Sequence, residues 1–433
     1  MAPHPTTLQL PPLPADAGVG ALHVGYSGGL DSSVLLHLLC TAPAWRGRVQ
    51  AVHVHHGLHA DADAWAAHCR RVCDAMEVPL RMVRVEVHRG ADVGLEAAAR
   101  AARHEAFSSV MATGDVLALA HHRDDQGETF LLRGLRASGV DGLGAMRPWR
   151  AFGAGWLWRP LLALPRERLL AHAREHGLAW IEDAGNHDLA QDRNFLRHRV
   201  LPLLRERWPG CAGALARSAA LSAEAADLLS AEDAAALSAV RGEQPRTLVI
   251  ERLKSLPASR RARVLRLWVA DCGLPPLTTS GVDTIETSLL DARPDAEAEF
   301  AWQGTILRSW RGRLHVEARR TPLPQAWRAA WDGCAPLALP SGGELRLQGI
   351  EAFDAPVSVH ARTGGERIRL PGRSHSHALK HVLQDLGVPP WIREHMPLLS
   401  DAEGSLLAAG DAAYSETFDT WLRANHALLV WDP

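Results

Sequence analysis

Between residues 18 and about 207, short runs dense in apolar residues alternate with longer runs whose apolar positions recur every three or four residues. The runs "ALHVGY", "VQAVHVHH", "LRMVRVEV" and "DVLALAHH" predict strands, and the segments near 32–40, 61–76 and 95–110 predict helices. Apolar strands separated by helices imply a doubly wound, mainly parallel sheet covered on both faces, an α/β fold. Ligands of such sheets bind beyond the carboxyl ends of the strands. The loop "SGGLDS" after the first strand and "HHRDDQ" after the fourth therefore emerge on the same rim.

From about 211 to 320 the pattern changes to alanine- and leucine-rich helical text, as in "ARSAALSAEAADLLSAEDAAAL" and "ASRRARVLRLWVADCG". A proline- and tryptophan-marked stretch, "RRTPLPQAWRAAWDGCAPLALPSGGEL", leads into a glycine-rich C-terminal region with mixed strand and helix signals. The expected organisation is an α/β domain over 18–207, a helical domain over 211–320 and a small α+β domain over 340–433. No internal repeat of fixed period is present.

A length of 433 residues with 47% hydrophobic content suits two or three globular domains. The formal charge of −2 gives no global footprint for a nucleic-acid partner, so any such surface must be local. The six cysteines (Cys40, Cys69, Cys73, Cys211, Cys272 and Cys334) lack metal or redox spacing and fit reduced thiols in a cytoplasmic protein. The proline-rich start "MAPHPTTLQLPPLPADAG" lacks a basic start and an apolar segment, so no signal peptide is expected. No run approaches the ~18 apolar residues of a membrane span.

A glycine loop between a strand and a helix offers unpaired backbone N–H groups to a phosphate. In "SGGLDS" the stretch Ser27, Gly28, Gly29, Leu30, Asp31 and Ser32 supplies two residues without Cβ and two hydroxyls. Lysine occurs only at Lys254 and Lys380, neither in a glycine-rich turn, which excludes the lysine-bearing cradle of γ-phosphoryl transfer. A loop without that lysine suits attack at the α-phosphorus with pyrophosphate leaving. A plain glycine turn with an Asp helix cap would explain a bare "SGG", but not the whole motif in this setting. The loop resembles that of the ATP-pyrophosphatase, adenine nucleotide alpha hydrolase-like superfamily, whose members adenylate a substrate.

The second cluster places Asp124, Asp125 and Glu128 at a helix start, where Asp124 and Glu128 at i, i+4 are expected on one face and Asp125 elsewhere. Such carboxylates gain a use when a cation lies between them, either Mg²⁺ on phosphates or an ammonium group. An acidic helix N-terminus complementing the dipole would account for the two aspartates alone. "AHHRDDQGETFLLRGLRASGVDGL", together with "HVHHGLHADADAWAAHC", "WIEDAGNHDLAQDRNFLRHRVLPLL" and "SGGLDS", closely resembles the tRNA(Ile)-lysidine synthase family. The likeness continues through "RSAALSAEAADLL" and "LKHVLQDLGVPPWIREHMPLL", the latter similar to the family's C-terminal tRNA-binding segment.

That resemblance implies conversion of the wobble cytidine of a CAU anticodon in isoleucine tRNA into lysidine, with ATP, Mg²⁺ and free L-lysine. The C2 oxygen of cytosine is activated as an adenylate, and the lysine ε-amine then displaces AMP. The resemblance admits a homodimer. On this reading residues 27–32 hold pyrophosphate, and Asp31 and Asp125 serve the metal. With a reference pKa of ~10.4, about one lysine amine in ~2,500 is neutral at pH 7, so a carboxylate must accept its proton. Asp124 and Glu128 are the candidates, with Asp31 and Asp125 completing the catalytic group. Arg193, Asn194 and Arg197 match the family's R-N-x-x-R segment, with arginine suited to a phosphate or adenylate.

The histidines of "HVHHGLH", His53, His55, His56 and His59, alternate sides on a strand and do not converge on zinc. Arg100 and Arg103 match another family segment, in which His104 stands where tyrosine is common. The expected tRNA surfaces are a helical patch holding Arg260, Arg261 and Arg263, where Arg252, Lys254 and Arg266 also face Glu251 alone, and a C-terminal patch around Arg369 and Lys380 with Arg362, Arg367 and Arg373. Two alternatives stand beside the ligase. One is a tRNA thiolation enzyme of the same fold, which usually needs reactive cysteines; the other is an inactive tRNA-binding protein.

Overall fold

The computed structural model describes residues 8–14, 20–45, 47–87, 95–183, 185, 188–292 and 298–432. Much of the proline-rich N-terminal stretch, and Ala184, Asn186 and His187 of the "WIEDAGNHD" motif, lie outside the described residues. The chain divides into two compact units, Met1–Glu232 and Asp233–Pro433.

The first unit is built on six strands: β1 (Leu22–Gly25), β2 (Val49–His55), β3 (Leu80–Arg84), β4 (Val116–Ala118), β5 (Trp149–Phe152) and β6 (Gly155–Trp158). Their order is β3-β2-β1-β4-β6-β5, parallel except for the β5–β6 hairpin at one edge. β1 is central, with Leu22 opposite Val49 on one side and Val116 on the other. Helices α1 (Leu30–Thr41), α2 (Ala62–Ala75), α3 (Leu95–Ser109) and α4 (Arg123–Leu135) follow the first four strands. One buried cluster joins Val24, Leu35, Leu39, Ala51, Cys69 and Cys73, and a second joins Val52, Phe107, Leu117 and Leu157, so both faces of the sheet are covered. This is the doubly wound, mainly parallel arrangement that the apolar strand runs imply.

Further helices α5 (Val140–Leu143), α6 (Arg166–Glu175), α7 (Asp192–Phe195), α8 (Leu201–Arg207) and α9 (Cys211–Val240) follow, α6 adding Leu169 and Ala173 to the first cluster. Between α7 and α8 the chain makes a π-helical turn, Leu196–Val200. The N–H of Leu201 closes it on the carbonyl of Leu196, just ahead of Pro202, which has no N–H to donate.

In the second unit the helices α10 (Ile250–Lys254), α11 (Ala258–Asp271) and α12 (Thr279–Thr284) are joined by a four-stranded antiparallel sheet that the alanine-rich pattern does not announce. Its strands are β7 (Thr247–Val249), β8 (Ala298–Trp302), β9 (Thr305–Trp310) and β10 (Arg313–Ala318), in the order β7-β10-β9-β8. The turns Gln303-Gly304 and Arg311-Gly312 have positive φ at both residues, the two-residue geometry that matches strand twist. The C-terminal region has a core of its own, from Leu323 to Trp431, around a five-stranded antiparallel sheet that includes Val357–His360 and Leu398–Ser400.

Gly155 lets β6 reach β4: a Cβ there would stand 2.1 Å from the carbonyl oxygen of Asp115, which accepts the N–H of Trp156 at 2.8 Å. Gly155→Ala is expected to destabilise the protein by about 1–3 kcal/mol, as other overpacked sites do. Urea unfolding followed by tryptophan fluorescence checks this, and an unchanged midpoint would contradict the strand register.

Candidate active site

The loop between β1 and α1 is shaped by its own side chains. Ser27 and Ser32 hydroxyls meet at 3.1 Å, the N–H of Gly29 donates to Ser27 Oγ at 3.3 Å, and Ser32 Oγ donates to the carbonyl of Gly29 at 3.0 Å. Gly28 has φ +80, a conformation that side chains resist, and a Cβ there would stand 2.8 Å from Ile181 Cδ1 and 3.0 Å from Cys69 Sγ. At Gly29 an added Cβ would meet nothing closer than Ser27 Oγ at 3.5 Å. Ile181 straps the loop: its N–H donates to Gly28 at 2.9 Å, and it bridges Gly29. α1 starts at Leu30, so the first-turn N–H groups of Leu30, Asp31 and Ser32 lack helical partners. Free N–H groups and hydroxyls so arranged can take phosphate oxygens.

The fourth strand delivers the acidic groups to the same rim. His122, 1% exposed, caps α4, and its ring lies among three carboxylates: Nε2 is 3.4 Å from Asp125 and 3.6 Å from Asp31, and Nδ1 is 3.8 Å from Asp124. Burial alone would lower its pKa, but the hydrogen bond to Asp31 and the charges of Asp125, Asp31 and Asp124 outweigh this and raise it. Burial would likewise raise the Asp125 carboxyl, yet His122, Arg193 and His121, with the backbone N–H of His122, hold it below its usual value. The N–H of His122 donates to Asp125 Oδ2 at 2.9 Å.

Glu128, also 1% exposed, is gripped from α7 and the π turn: Arg193 Nε donates at 2.8 Å, and Arg197 donates through Nε at 2.7 Å and Nη2 at 2.9 Å. The same two arginines reach Asp125 Oδ1 at 3.1 and 3.0 Å. The structure thus groups Glu128 with Asp125, at i, i+3, where the sequence led us to expect Asp124. Asp124 turns toward Arg205, which donates to its Oδ1, and toward the N–H of Arg166 at 3.0 Å. Both spacings share a helix face, and the arginines select between them. Buried ions in this density persist only when paired and hydrogen-bonded.

Asp31 is the exception. Its buried Oδ1 accepts no hydrogen bond, and Arg166 Nε is 3.8 Å away. An unfilled carboxylate oxygen beside a phosphate cradle fits Mg²⁺, which takes one or two carboxylates together with substrate phosphates. Asp125 has arginines on Oδ1 and the cap N–H on Oδ2. Among the described residues no group of three or more His, Cys, Asp or Glu side chains is arranged to hold a metal by itself.

Asn194, 7% exposed, points away from the carboxylates and donates to the carbonyls of Gly185 and Asp188 at 3.0 Å each, fixing the preceding loop. Three neighbours escaped the sequence reading: His122, Arg166 and Arg205. The paired histidines before "RDDQ" carried a signal for the first, whereas nothing in the sequence near either arginine links it to the aspartates.

The second-unit arginines are more fully paired than the sequence implied, which gave them Glu251 alone. Arg260 and Arg263 both grip Asp233, at 2.7 and 2.6 Å, Arg261 forks onto Glu286, and Lys254 meets Asp291 at 2.5 Å. Those acids come from elsewhere in the fold, invisible to a local count of charge. Arg369 is exposed and pairs with Glu416 at 3.0 Å, while Lys380 is exposed. Among the described residues no helix is long and apolar enough to cross a membrane.

The strand-loop-helix geometry agrees with the family comparison: residues 6–204 match the PP-loop domain, which makes the first unit a nucleotide-binding domain of that class. Residues 248–315 match the TilS substrate binding domain and residues 357–431 the TilS substrate C-terminal domain. The chain is 53% identical over 430 residues to the tRNA(Ile)-lysidine synthase of Xanthomonas axonopodis pv. citri, covering 99% of this chain and 97% of that protein. It is 51% identical over 422 residues to that of Xylella fastidiosa, with 96% of each covered, and 42% identical over 400 residues to that of Serratia proteamaculans, with 90% of each covered. The chain belongs to the tRNA(Ile)-lysidine synthase family.

One site histidine gives a pH signature. His121 accepts from Arg159 Nε at 3.2 Å, and burial, with Arg159 and Arg193 adding to it against Asp125, lowers its pKa to about 3. Below the ordinary value of about 6.5 the unfolded chain takes up a proton that the folded imidazole refuses, so this group costs stability as pH falls from there toward about 3. The loss is at most about 1.4 kcal/mol per pH unit. Urea unfolding at pH 7, 6 and 5 is expected to show His121→Gln losing less stability with acid than the wild type. A difference between the two that stays constant with pH would contradict a neutral His121.

Proposed function

We propose that this chain ligates L-lysine to C2 of the wobble cytidine in a CAU-anticodon isoleucine tRNA, consuming ATP and releasing AMP and pyrophosphate. The observation that carries the reading is the meeting, on one rim, of a lysine-free phosphate cradle with a carboxylate group around His122. The family comparisons support the same reaction.

In the first step the cytosine O2 attacks the α-phosphorus of ATP and the bond to pyrophosphate breaks. The loop N–H groups and the Ser27 and Ser32 hydroxyls receive the departing charge. Mg²⁺, held by Asp31 and phosphate oxygens, would neutralise part of that charge; in this assignment Asp125 supports the metal indirectly, through His122.

In the second step the lysine ε-amine attacks C2 and AMP leaves. An ammonium must first be bound and deprotonated. Asp124, whose side chain is 15% exposed, is the more accessible acceptor, while Glu128 is enclosed by Arg193 and Arg197 and serves as their counter-charge. On this reading Arg193 and Arg197 also donate to the phosphate of the adenylate once it forms. Asn194 supports this by fixing the loop behind them. Arg260, Arg261, Arg263, Arg369 and Lys380 belong to the surfaces assigned to tRNA, the first three as a paired frame and the last two as direct phosphate contacts. The helical and C-terminal regions act as separate domains for that purpose, and a homodimer is compatible with the scheme.

The thiolation alternative finds no support in the cysteines. Cys69, which packs against Gly28, and Cys73 are buried, and burial pushes each thiol up to about 12, far from the thiolate that sulfur transfer requires.

Purified protein with ATP, Mg²⁺, radiolabelled L-lysine and the CAU-anticodon tRNA is expected to transfer label to RNA. Asp31→Ala and Asp124→Ala should each reduce the rate by at least ~100-fold, the scale of lost acid-base or electrostatic assistance. Tight tRNA binding without incorporation by the wild type would exclude the ligase and leave a binding protein.

A further inference from the structure

The first unit carries a concentration of positive charge for which the reaction scheme has no use. Arg100 and Arg103 lie near the middle of α3, Arg133 on α4, Arg150 on β5 and Arg159 directly after β6. Topology brings Arg103 and Arg159 to the carboxyl rim, while Arg133 lies in the last turn of α4. Arg103 Nε donates at 3.3 Å to His56, the residue following β2, and Arg159 Nε donates to His121, beyond the end of β4. Arg150 stands opposite Leu157 near the end of β6, with its guanidinium 5.5 Å over the Phe152 ring that His104 of α3 meets at 4.4 Å.

Among the described residues none of the five meets a carboxylate at ion-pair distance. Arg133 donates to the carbonyls of Gly142 and Ala145, Arg150 to Ala151, and Arg159 to Arg147 and His121. Burial, and then the charge of Arg100, lower the pKa of half-buried Arg133, and Arg159, only 7% exposed, falls to about 10 through burial with the charges of Arg150, Arg100 and Arg133 contributing. Like charges facing one another without counter-ions call for a polyanion. The contrast with Arg260, Arg261 and Arg263, each already on a carboxylate, is direct.

We propose that Arg100, Arg103, Arg133, Arg150 and Arg159 form a phosphodiester cradle that grips the RNA backbone beside the reacting base. This rests on the tRNA-ligase reading and adds to it a site in the catalytic unit itself. ATP is the other source of phosphate, but the glycine loop already provides for it. The loop is backed by Ile181, Cys69 and His68, whereas α3 packs through Phe107 in the cluster on the sheet's other face. Arg100 and Arg150 are exposed, so the cradle opens to a large ligand, and its forked donors suit successive phosphates.

The test compares the wild type with an Arg100→Gln/Arg150→Gln double variant, both exposed positions, using the full chain and CAU-anticodon tRNA over ~50–200 mM salt. The variant is expected to bind tRNA at least ~10-fold more weakly, with a slope of log affinity against log salt shallower by about 1.4, for two lost single-strand phosphate contacts. ATP affinity by equilibrium dialysis and the melting temperature should match the wild type. If the wild type binds and modifies tRNA but the variant keeps the same affinity and slope, the cradle is overturned while the ligase reading stands. A loss confined to ATP binding would assign the cluster to the nucleotide and overturn it as well. A wild type that binds no tRNA overturns both.

Discussion

Two buried carboxylates at the start of one helix, Asp125 and Glu128, can exist only because two arginines from a distant segment meet them, and the rest of the site depends on that pairing. A carboxylate as enclosed as Glu128 is costly unless it is both paired and hydrogen-bonded. Arg193 and Arg197 satisfy it from α7 and the π turn that follows. With those charges balanced, His122 faces Asp31, Asp124 and Asp125 together, and the glycine loop is tied electrostatically to the helix that follows β4.

The sequence made the first unit's architecture legible because a parallel sheet buried on both faces leaves a strong mark: continuous apolar strands, each followed by a helix. The glycine loop was legible for a similar reason, since Gly28, at φ +80 with Ile181 and Cys69 close behind it, leaves no room for a side chain. The antiparallel sheet in the second unit was not. Its strands are short and interrupted by charged residues, and their pairing rests on two-residue turns within an alanine-rich context.

The site was legible as a set of residues and much less so as a set of pairings. Asp31, Asp124, Asp125, Glu128, Arg193 and Arg197 do lie together, but helix spacing could not decide whether Asp124 or Asp125 would share a face with Glu128. Partners from far along the chain made that choice. The same limit applies to charge: a count along the sequence made Arg260, Arg261 and Arg263 look free, although Asp233 and Glu286 hold them. Only the fold separates cations that stabilise the protein from cations left for a ligand.

The account stands on adenylating chemistry at the glycine loop, and the most direct measurement follows the phosphates themselves. Wild-type protein would be incubated with CAU-anticodon tRNA and Mg²⁺, without lysine, using ATP labelled in parallel reactions at the α- or the γ-phosphorus. The account predicts that α-label becomes attached to RNA while γ-label leaves as pyrophosphate, and that added lysine then releases the α-label as AMP. Formation of ADP and orthophosphate, or transfer of γ-label to RNA, would contradict it.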